Sequence, residues 1–353
     1  MNHVNDRTLL AEKLSGQRLV IPDMRPLFGH WPSRVNKNYE AMREIVEKKH
    51  DPLLADEKSR KTVNEADPAL LAAMWWPTSS LERYRVMTDL VIWFALWDDK
   101  VEELAPGSGE DAEVFRASTK DFVRYALGLG ALKNQAAAAA ISPLIRSFKR
   151  IAEEVCDAYD EDQREILLRH FEAYIDATRL ESEAERSELI PSLEQYWEVR
   201  VLSSGMGTLL GFSELALNVK LPSSFVCSQA YDTLWVTTIV INSIVNDLIS
   251  FKKEMRAGSV LSSVAILYHQ TNDLDLAVQM SLEHIRQLIE TFDRTATETL
   301  SDVGYDALEL DAALKVIDLM RMINTGNLEW SLQARRYGVA QHMTDAGQID
   351  LVL

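Results

Sequence analysis

The chain is predicted to be all-α, and three observations carry that reading. Apolar residues recur at helical spacing through most of its 353 residues. No run alternates apolar and polar residues as a half-buried strand would, and no Asn-Gly turn separates two such runs. No solenoid-length repeat and no Pro/Gly/Ser-rich hinge divides the chain, so a single domain over 1–353 is expected. A hydrophobic content of 47% is enough for a core and argues against a disordered chain.

Taken in order, residues 1–35 hold Pro22, Pro26 and Pro32 and several exposed-looking aromatics, and read as an irregular N-terminal strap. An amphipathic helix follows over 35–49, and a long apolar one over Leu81–Leu104. Helices are expected near 111–128, 134–155 and 158–185. The second opens on the alanine run at 136–140, alanine being the strongest helix former. The helical pattern over 194–217 is interrupted at Ser-Ser-Gly-Met-Gly, where Gly205 and Gly207 permit a kink or break. Helices over 224–255, 273–297 and 306–337 complete the pattern, and 339–353 form a C-terminal tail.

The net charge of −17 argues against nucleic acid or an anionic membrane surface as a partner. The polar N-terminus has no apolar signal core, and the apolar stretch at 91–97, VIWFALW, is too short to span a bilayer. A cytoplasmic protein is therefore expected. Cys156 and Cys227 match no metal or redox spacing and read as buried thiols in a reducing compartment. The seven histidines form no HExxH-type spacing, and no Gly-rich phosphate loop is present.

Two stretches carry chemistry. In NDLISFKKE, the side chains of Asn246, Ser250 and Glu254 are spaced i, i+4, i+8 and share one side of a helix. An amide oxygen, a hydroxyl and a carboxylate are hard donors suited to Mg²⁺ rather than Zn²⁺. The preceding run TLWVTTIVINSIV is strongly apolar, so these groups end a core helix. In WDDKVEE, the pairs Asp98/Glu102 and Asp99/Glu103 are both i, i+4 and crowd the C-terminus of the Leu81–Leu104 helix. Like charges repel at that spacing, and the helix dipole disfavours anions there. A divalent cation would relieve both. Read alone, this cluster fits a solvated acidic helix end better than a metal site.

An Asp-Asp-x-x-Glu motif followed by Asn-Asp-x-x-Ser-x-x-x-Glu resembles the class I terpene cyclases of microbial type. Other segments fit as well. Arg200, in YWEVRVLSSG, matches the family's diphosphate-sensing arginine ahead of a helix break, and Lys253 matches a lysine that contacts diphosphate. GNLEWSLQARRYG is similar to the family's closing pattern, with Asn327, Trp330, Arg336 and Tyr337. The Ile21–Asp23 tripeptide and PTSSLERYRVMTDLVIWF also look familial, so the resemblance runs from about residue 20 to 340. The departures are small: Glu102 stands where a third Asp is usual, and Ser203 and Ser204 stand where Asp-Gly is a common alternative.

The resemblance implies a helical bundle with a central active-site cavity, working on an allylic prenyl diphosphate with three Mg²⁺ ions. It assigns Asp98, Asp99 and Glu102 to one part of the metal site and Asn246, Ser250 and Glu254 to the other. Arg200, Lys253 and Arg336 would grip diphosphate oxygens, and Tyr337 would donate a hydrogen bond. Trp76, Trp93, Phe94, Trp97 and Trp330 are candidates for a cation-stabilising wall, with Trp330 and Phe94 favoured. Ser203, Ser204 and Asn327 complete the substrate-binding set. Each aromatic also reads as ordinary core packing, and Arg200 as an ion pair with Glu198 or another acidic neighbour. Farnesyl diphosphate is the expected substrate and a sesquiterpene hydrocarbon or alcohol the product. Geranyl and geranylgeranyl diphosphate stay open, and a homodimer is an analogy from the fold. A chain-elongating prenyl diphosphate synthase is the nearest rival, disfavoured because it would carry a second aspartate-rich motif. A non-catalytic helical scaffold is disfavoured by the completeness of the motifs.

Overall fold

The computed structural model describes residues 6–48, 56–104, 109–132, 141–301 and 306–353. Its elements in chain order are α1 (Asp6–Leu14), β1 (Arg18–Ile21), a 3₁₀ turn (Arg25–Phe28), α2 (Tyr39–Lys48), α3 (Glu57–Ala66), α4 (Pro68–Trp75), α5 (Leu81–Leu104) and α6 (Gly109–Ala126). Then come α7 (Pro143–Ser147), α8 (Lys149–Ala158), α9 (Glu161–Arg186), α10 (Leu193–Ser203), α11 (Met206–Leu210), α12 (Ser213–Leu217) and α13 (Ser223–Val226). The chain closes with α14 (Gln229–Arg256), α15 (Ser263–Thr271), α16 (Leu274–Ser301), α17 (Ala307–Gln333), a 3₁₀ turn (Ala340–His342) and β2 (Ile349–Val352). The all-α expectation holds, and α5 has the predicted bounds.

The long helices are framed by caps written in the sequence. Asp160 and Gln163 form a reciprocal capping box at the start of α9, Ser192 and Gln195 one at α10, and Asp306 and Glu309 one at α17. The predicted break after α10 falls at Gly205, whose φ of 70° favours a residue without Cβ. A methyl there would also press on the rings of Phe94 and Tyr174 at 3.2 and 3.3 Å. The pattern breaks twice more than predicted. Gly211 ends α11, and Cys227–Ser228 separate α13 from α14, where Ser228 caps the longer helix.

α14 is the central helix: nearly all residues from Leu234 to Phe251 are buried, and it packs against α16 and α17. It is long and apolar enough to cross a membrane by length and composition, but 83% of its apolar window is buried inside the bundle. This helix, not 91–97, is the longer apolar segment. On its other side α17 meets α4, closely enough that a Cβ on Gly326 would lie 2.7 Å from the Met74 carbonyl oxygen. That contact requires glycine.

The N-terminal segment departs from the expected irregular strap. α1 packs Leu10 and Leu14 inward, and Phe28 and Trp31 are buried, with Trp31 lying against Phe292 at 5.0 Å. β1 pairs antiparallel with β2, in register Arg18↔Val352 to Ile21↔Ile349, so the two ends of the described chain form one ribbon. Only Leu19, Ile21, Ile349 and Leu351 bury, two alternating residues per strand, which is too short a signal for period-2 reading. Helices α1, α3, α4 and α15 were also not anticipated, and the expected helix over 134–155 is divided into α7 and α8 by the turn at Phe148. The alanine run at 136–140 lies outside the described residues. Both cysteines are free, but Cys156 is half-buried and Cys227 exposed, against the expectation of buried thiols.

Candidate active site

The two predicted motifs are brought to one end of the bundle. α5 ends there with Asp98, Asp99 and Glu102, and α14 delivers Asn246, Ser250 and Glu254 along its last turns. Arg336 and Tyr337, just past α17, lie between them. The Arg336 guanidinium faces Asp99 at 3.8 Å, while the Asn246 amide donates to the Tyr337 hydroxyl at 3.0 Å. Tyr337 is itself held by an edge-on contact with Trp330, ring centroids 5.6 Å apart, and Trp330 donates its indole N–H to the Ala66 carbonyl at 2.6 Å. The Arg336 N–H donates to the Glu65 carbonyl, so α3 fixes this segment from below.

The acidic end of α5 is not one face. Asp98 turns inward and accepts from the buried Tyr174 hydroxyl at 3.1 Å. Asp99 accepts from Thr62 at 2.8 Å and faces Arg336. Glu103 points to solvent, paired with Lys100 at 3.0 Å and Lys58 at 3.8 Å. Removal from water pushes the Asp98 carboxyl up, and Asp99 adds to this, although Arg336 and Tyr174 oppose it. Glu102 reaches the open rim, yet the surrounding bundle withdraws it from water, and Asp98 repels it. The two effects push its carboxyl up to about 7.

Arg200 on α10 is the hub of the other side. Its Nη2 donates to Asn246 Oδ1 at 2.8 Å and lies 3.5 Å from Asp247 Oδ1, while Nη1 lies 3.6 Å from Glu181. Its ion-pair partners are therefore Glu181 and Asp247 and not Glu198. Burial works against the guanidinium charge, but Tyr196, Asp247 and Glu181 outweigh it and raise Arg200 above the ordinary arginine range. Burial likewise pushes Glu181 up to about 7 despite Arg200 beside it. Lys253 pairs with Glu254 at 2.9 Å.

The pocket candidates separate. Phe94 borders the Gly205 break and packs against Tyr174 in a tilted ring contact, 5.2 Å between centroids. Trp93 and Trp97 turn toward α6 and α7: Trp93 donates to the Leu144 carbonyl at 3.0 Å and Trp97 to the Thr119 hydroxyl at 3.0 Å. Their packing follows the ordinary core reading. Trp76 is fully buried beside Trp75. Ser203 is buried, and Ser204 closes the last turn of α10 by accepting from the Met206 N–H at 3.3 Å. Asn327 donates to the Asn242 carbonyl at 3.5 Å, in the α14–α17 seam. Sequence reading passed over Asp247, Tyr174, Tyr196 and Glu181. Asp247 lies inside the quoted motif, and a buried acid on an apolar helix was the available signal. The others become visible only through contacts.

Among the described residues no three His, Cys, Asp or Glu side chains come close enough together to hold an ion by themselves. The donor set still fits Mg²⁺. All six candidate ligands offer hard oxygen, the two halves face each other, and the carboxylates on α5 carry repulsion that Arg336 only partly offsets.

Comparison with known proteins agrees with this geometry. Residues 89–292 match the model of terpene synthase family 2, C-terminal metal binding. The sesquiterpene cyclase hepA of Aspergillus oryzae is 27% identical over 99% of this chain and 97% of its own length. Pristinol synthase of Streptomyces pristinaespiralis is 27% identical over 87% of this chain and 83% of its own. In structure the chain is similar to germacradien-4-ol synthase from Streptomyces citricolor, with a TM-score of 0.71 at 19% identity, covering 85% of this chain and 96% of that one. The chain belongs to the terpene synthase family, as a class I enzyme of microbial type. It is accordingly a lyase of the class that acts on small prenyl diphosphates.

Proposed function

We propose that this enzyme is a Mg²⁺-dependent sesquiterpene cyclase that ionises farnesyl diphosphate and closes the resulting cation to a hydrocarbon or alcohol, releasing diphosphate. It would act as a single-domain cytoplasmic enzyme. The observation that carries the reading is the junction at Asn246, where one candidate metal ligand bonds both Arg200 and Tyr337 while Arg336 reaches the opposite acidic rim. The name of the sesquiterpene cyclase hepA, which aligns over nearly all of this chain, supports the C15 choice.

Leaving of diphosphate from carbon is slow in water because charge separates. The chain offers fixed cations where that charge develops: Arg200, Lys253 and Arg336, with the Tyr337 hydroxyl as a further donor. Asp98, Asp99 and Glu102 on one side, and Asn246, Ser250 and Glu254 on the other, would hold the Mg²⁺ ions. When bound, these supply Lewis-acid stabilisation of the leaving group. Arginine suits this work because its planar fork engages two phosphate oxygens and stays charged. Phe94 and Trp330, both buried within reach of the site, are assigned to the apolar wall that keeps water from the cation. Trp76, Ser203, Ser204 and Asn327 are the further substrate-side candidates, and Trp93 and Trp97 are assigned to packing.

Incubation with Mg²⁺ and C10, C15 or C20 allylic diphosphates, followed by gas chromatography–mass spectrometry, tests the proposal. A cyclic C15 product from farnesyl diphosphate is expected. A cyclic product only from the C10 or C20 substrate would move the chain-length assignment. A longer diphosphate formed with isopentenyl diphosphate would overturn cyclisation in favour of chain elongation.

A further inference from the structure

Asp247 follows Asn246 directly and cannot share its role. Neighbouring residues on a helix point about 100° apart, so Asp247 lies off the line of Asn246, Ser250 and Glu254. It is 3% exposed, in the buried part of α14. Its carboxylate is fully engaged. Oδ2 accepts from the Tyr196 hydroxyl on α10 at 2.7 Å, from the Ser263 N–H at the start of α15 at 2.8 Å, and from the Ser263 hydroxyl at 2.6 Å. These three donors fix the plane of the group and leave Oδ1 facing Arg200 Nη2 at 3.5 Å.

The same Nη2 donates to Asn246 Oδ1 at 2.8 Å. Arg200 thus covers the amide oxygen that the reading above assigns to a metal, and a guanidinium beside a divalent cation is repelled. A divalent cation on the free lone pair of Asn246 Oδ1 would drive Nη2 off by that repulsion. Once it leaves, the next acceptor is Asp247 Oδ1, already within 3.5 Å and unable to swing because its partner oxygen is held by three donors.

We infer that Asp247 is the positioning residue on which Arg200 pivots, keeping the guanidinium at the mouth while Asn246 passes to the metal and Arg200 turns to diphosphate. This inference rests on the proposed function of the same site. It makes the aspartate of the motif a second-layer part of the anion clamp and not a ligand.

The test is a double-mutant cycle read by calorimetry. Binding of Mg²⁺ with inorganic diphosphate is measured for wild type, Asp247→Asn, Arg200→Ala and the double variant, alongside kcat and melting temperature. Asp247→Asn is expected to weaken this binding about tenfold and lower kcat about 10- to 100-fold. The binding loss should shrink to under about twofold when Arg200 is already absent, because residues that act through one another are not additive. An equal loss in both backgrounds, or unchanged binding in Asp247→Asn, would overturn the inference. If Asp247→Asn does not fold, Ser263→Ala removes one orienting donor and should weaken binding about threefold with the same dependence on Arg200. An equal loss from Ser263→Ala in both backgrounds would overturn it too. Wild-type protein that binds Mg²⁺ and diphosphate through this pair, yet turns over no C10–C20 diphosphate, would sink the proposed activity and leave the anchor standing.

Discussion

The two halves of the site are built on opposite principles. At the site end of α14 the polar groups have partners at hand: Asn246 bonds Arg200 and Tyr337, Asp247 collects Tyr196 and Ser263, and Glu254 pairs with Lys253. On α5 the inward carboxylates repel each other, and Asp98 has one hydrogen bond, from Tyr174. One half is preorganised; the other holds excess negative charge that Arg336 only partly offsets and that a divalent cation would relieve. Both halves are assigned metal ligands, but the α5 half gains most from the metal's charge, whereas the α14 half must exchange existing partners to bind it.

The largest expected effects come from breaking either half. Asp98→Ala and Asn246→Ala should each reduce turnover by at least about a thousandfold, while far-ultraviolet circular dichroism stays unchanged. Unchanged activity in either variant would sink the assignment of that half. Removal of the link between them comes next. Arg336→Ala should cost about 100-fold in kcat/KM, and Arg336→Lys should recover only part of it because lysine lacks the planar fork.

A smaller effect concerns pH. Glu102 and Glu181 are pushed up to about 7 from the ordinary 4.5, so between those values the folded protein binds more protons than the unfolded chain. Their contribution therefore lowers stability as pH rises from about 4.5 to 7. In metal-free protein Glu102→Gln should flatten that fall in melting temperature, and added Mg²⁺ should stabilise wild type more at pH 8 than at pH 6. A melting profile that Glu102→Gln leaves unchanged would remove this carboxyl from the repelling cluster. The smallest effect sharpens the contrast within one motif. Glu103 is exposed and, among the described residues, pairs with Lys100 and Lys58, so Glu103→Gln should leave activity within about twofold and stability within about 0.5 kcal/mol.

Much of this site can be read before any fold is known, because i, i+4, i+8 spacing is a property of a helix alone. Asn246, Ser250 and Glu254 needed only that α14 be helical, and α5 could be bounded from its apolar run and acidic end. The roles of Trp93 and Trp97 could not be read in the same way. They lie on the helix that carries Asp98, but which way a ring turns depends on neighbours such as Thr119 and Leu144, from helices far along the chain. Arg200 stands out only through the family resemblance, which expects an arginine ahead of the Gly205 break, and its partners Glu181 and Asp247 require α9, α10 and α14 to be packed.

Local sequence is enough for long helices such as α5, α14 and α17, for the hard-oxygen donor lines and for the excess of acid at the end of α5. These follow from local periodicity and residue chemistry, which act over a few turns. Tertiary structure alone decided that α5 and α14 face each other across Arg336 and Tyr337, that Asp247 turns away from its neighbour's ligand line, and that β1 finds β2 at the far end of the chain. Those outcomes depend on which apolar faces bury together. That choice belongs to the whole core and not to any one segment.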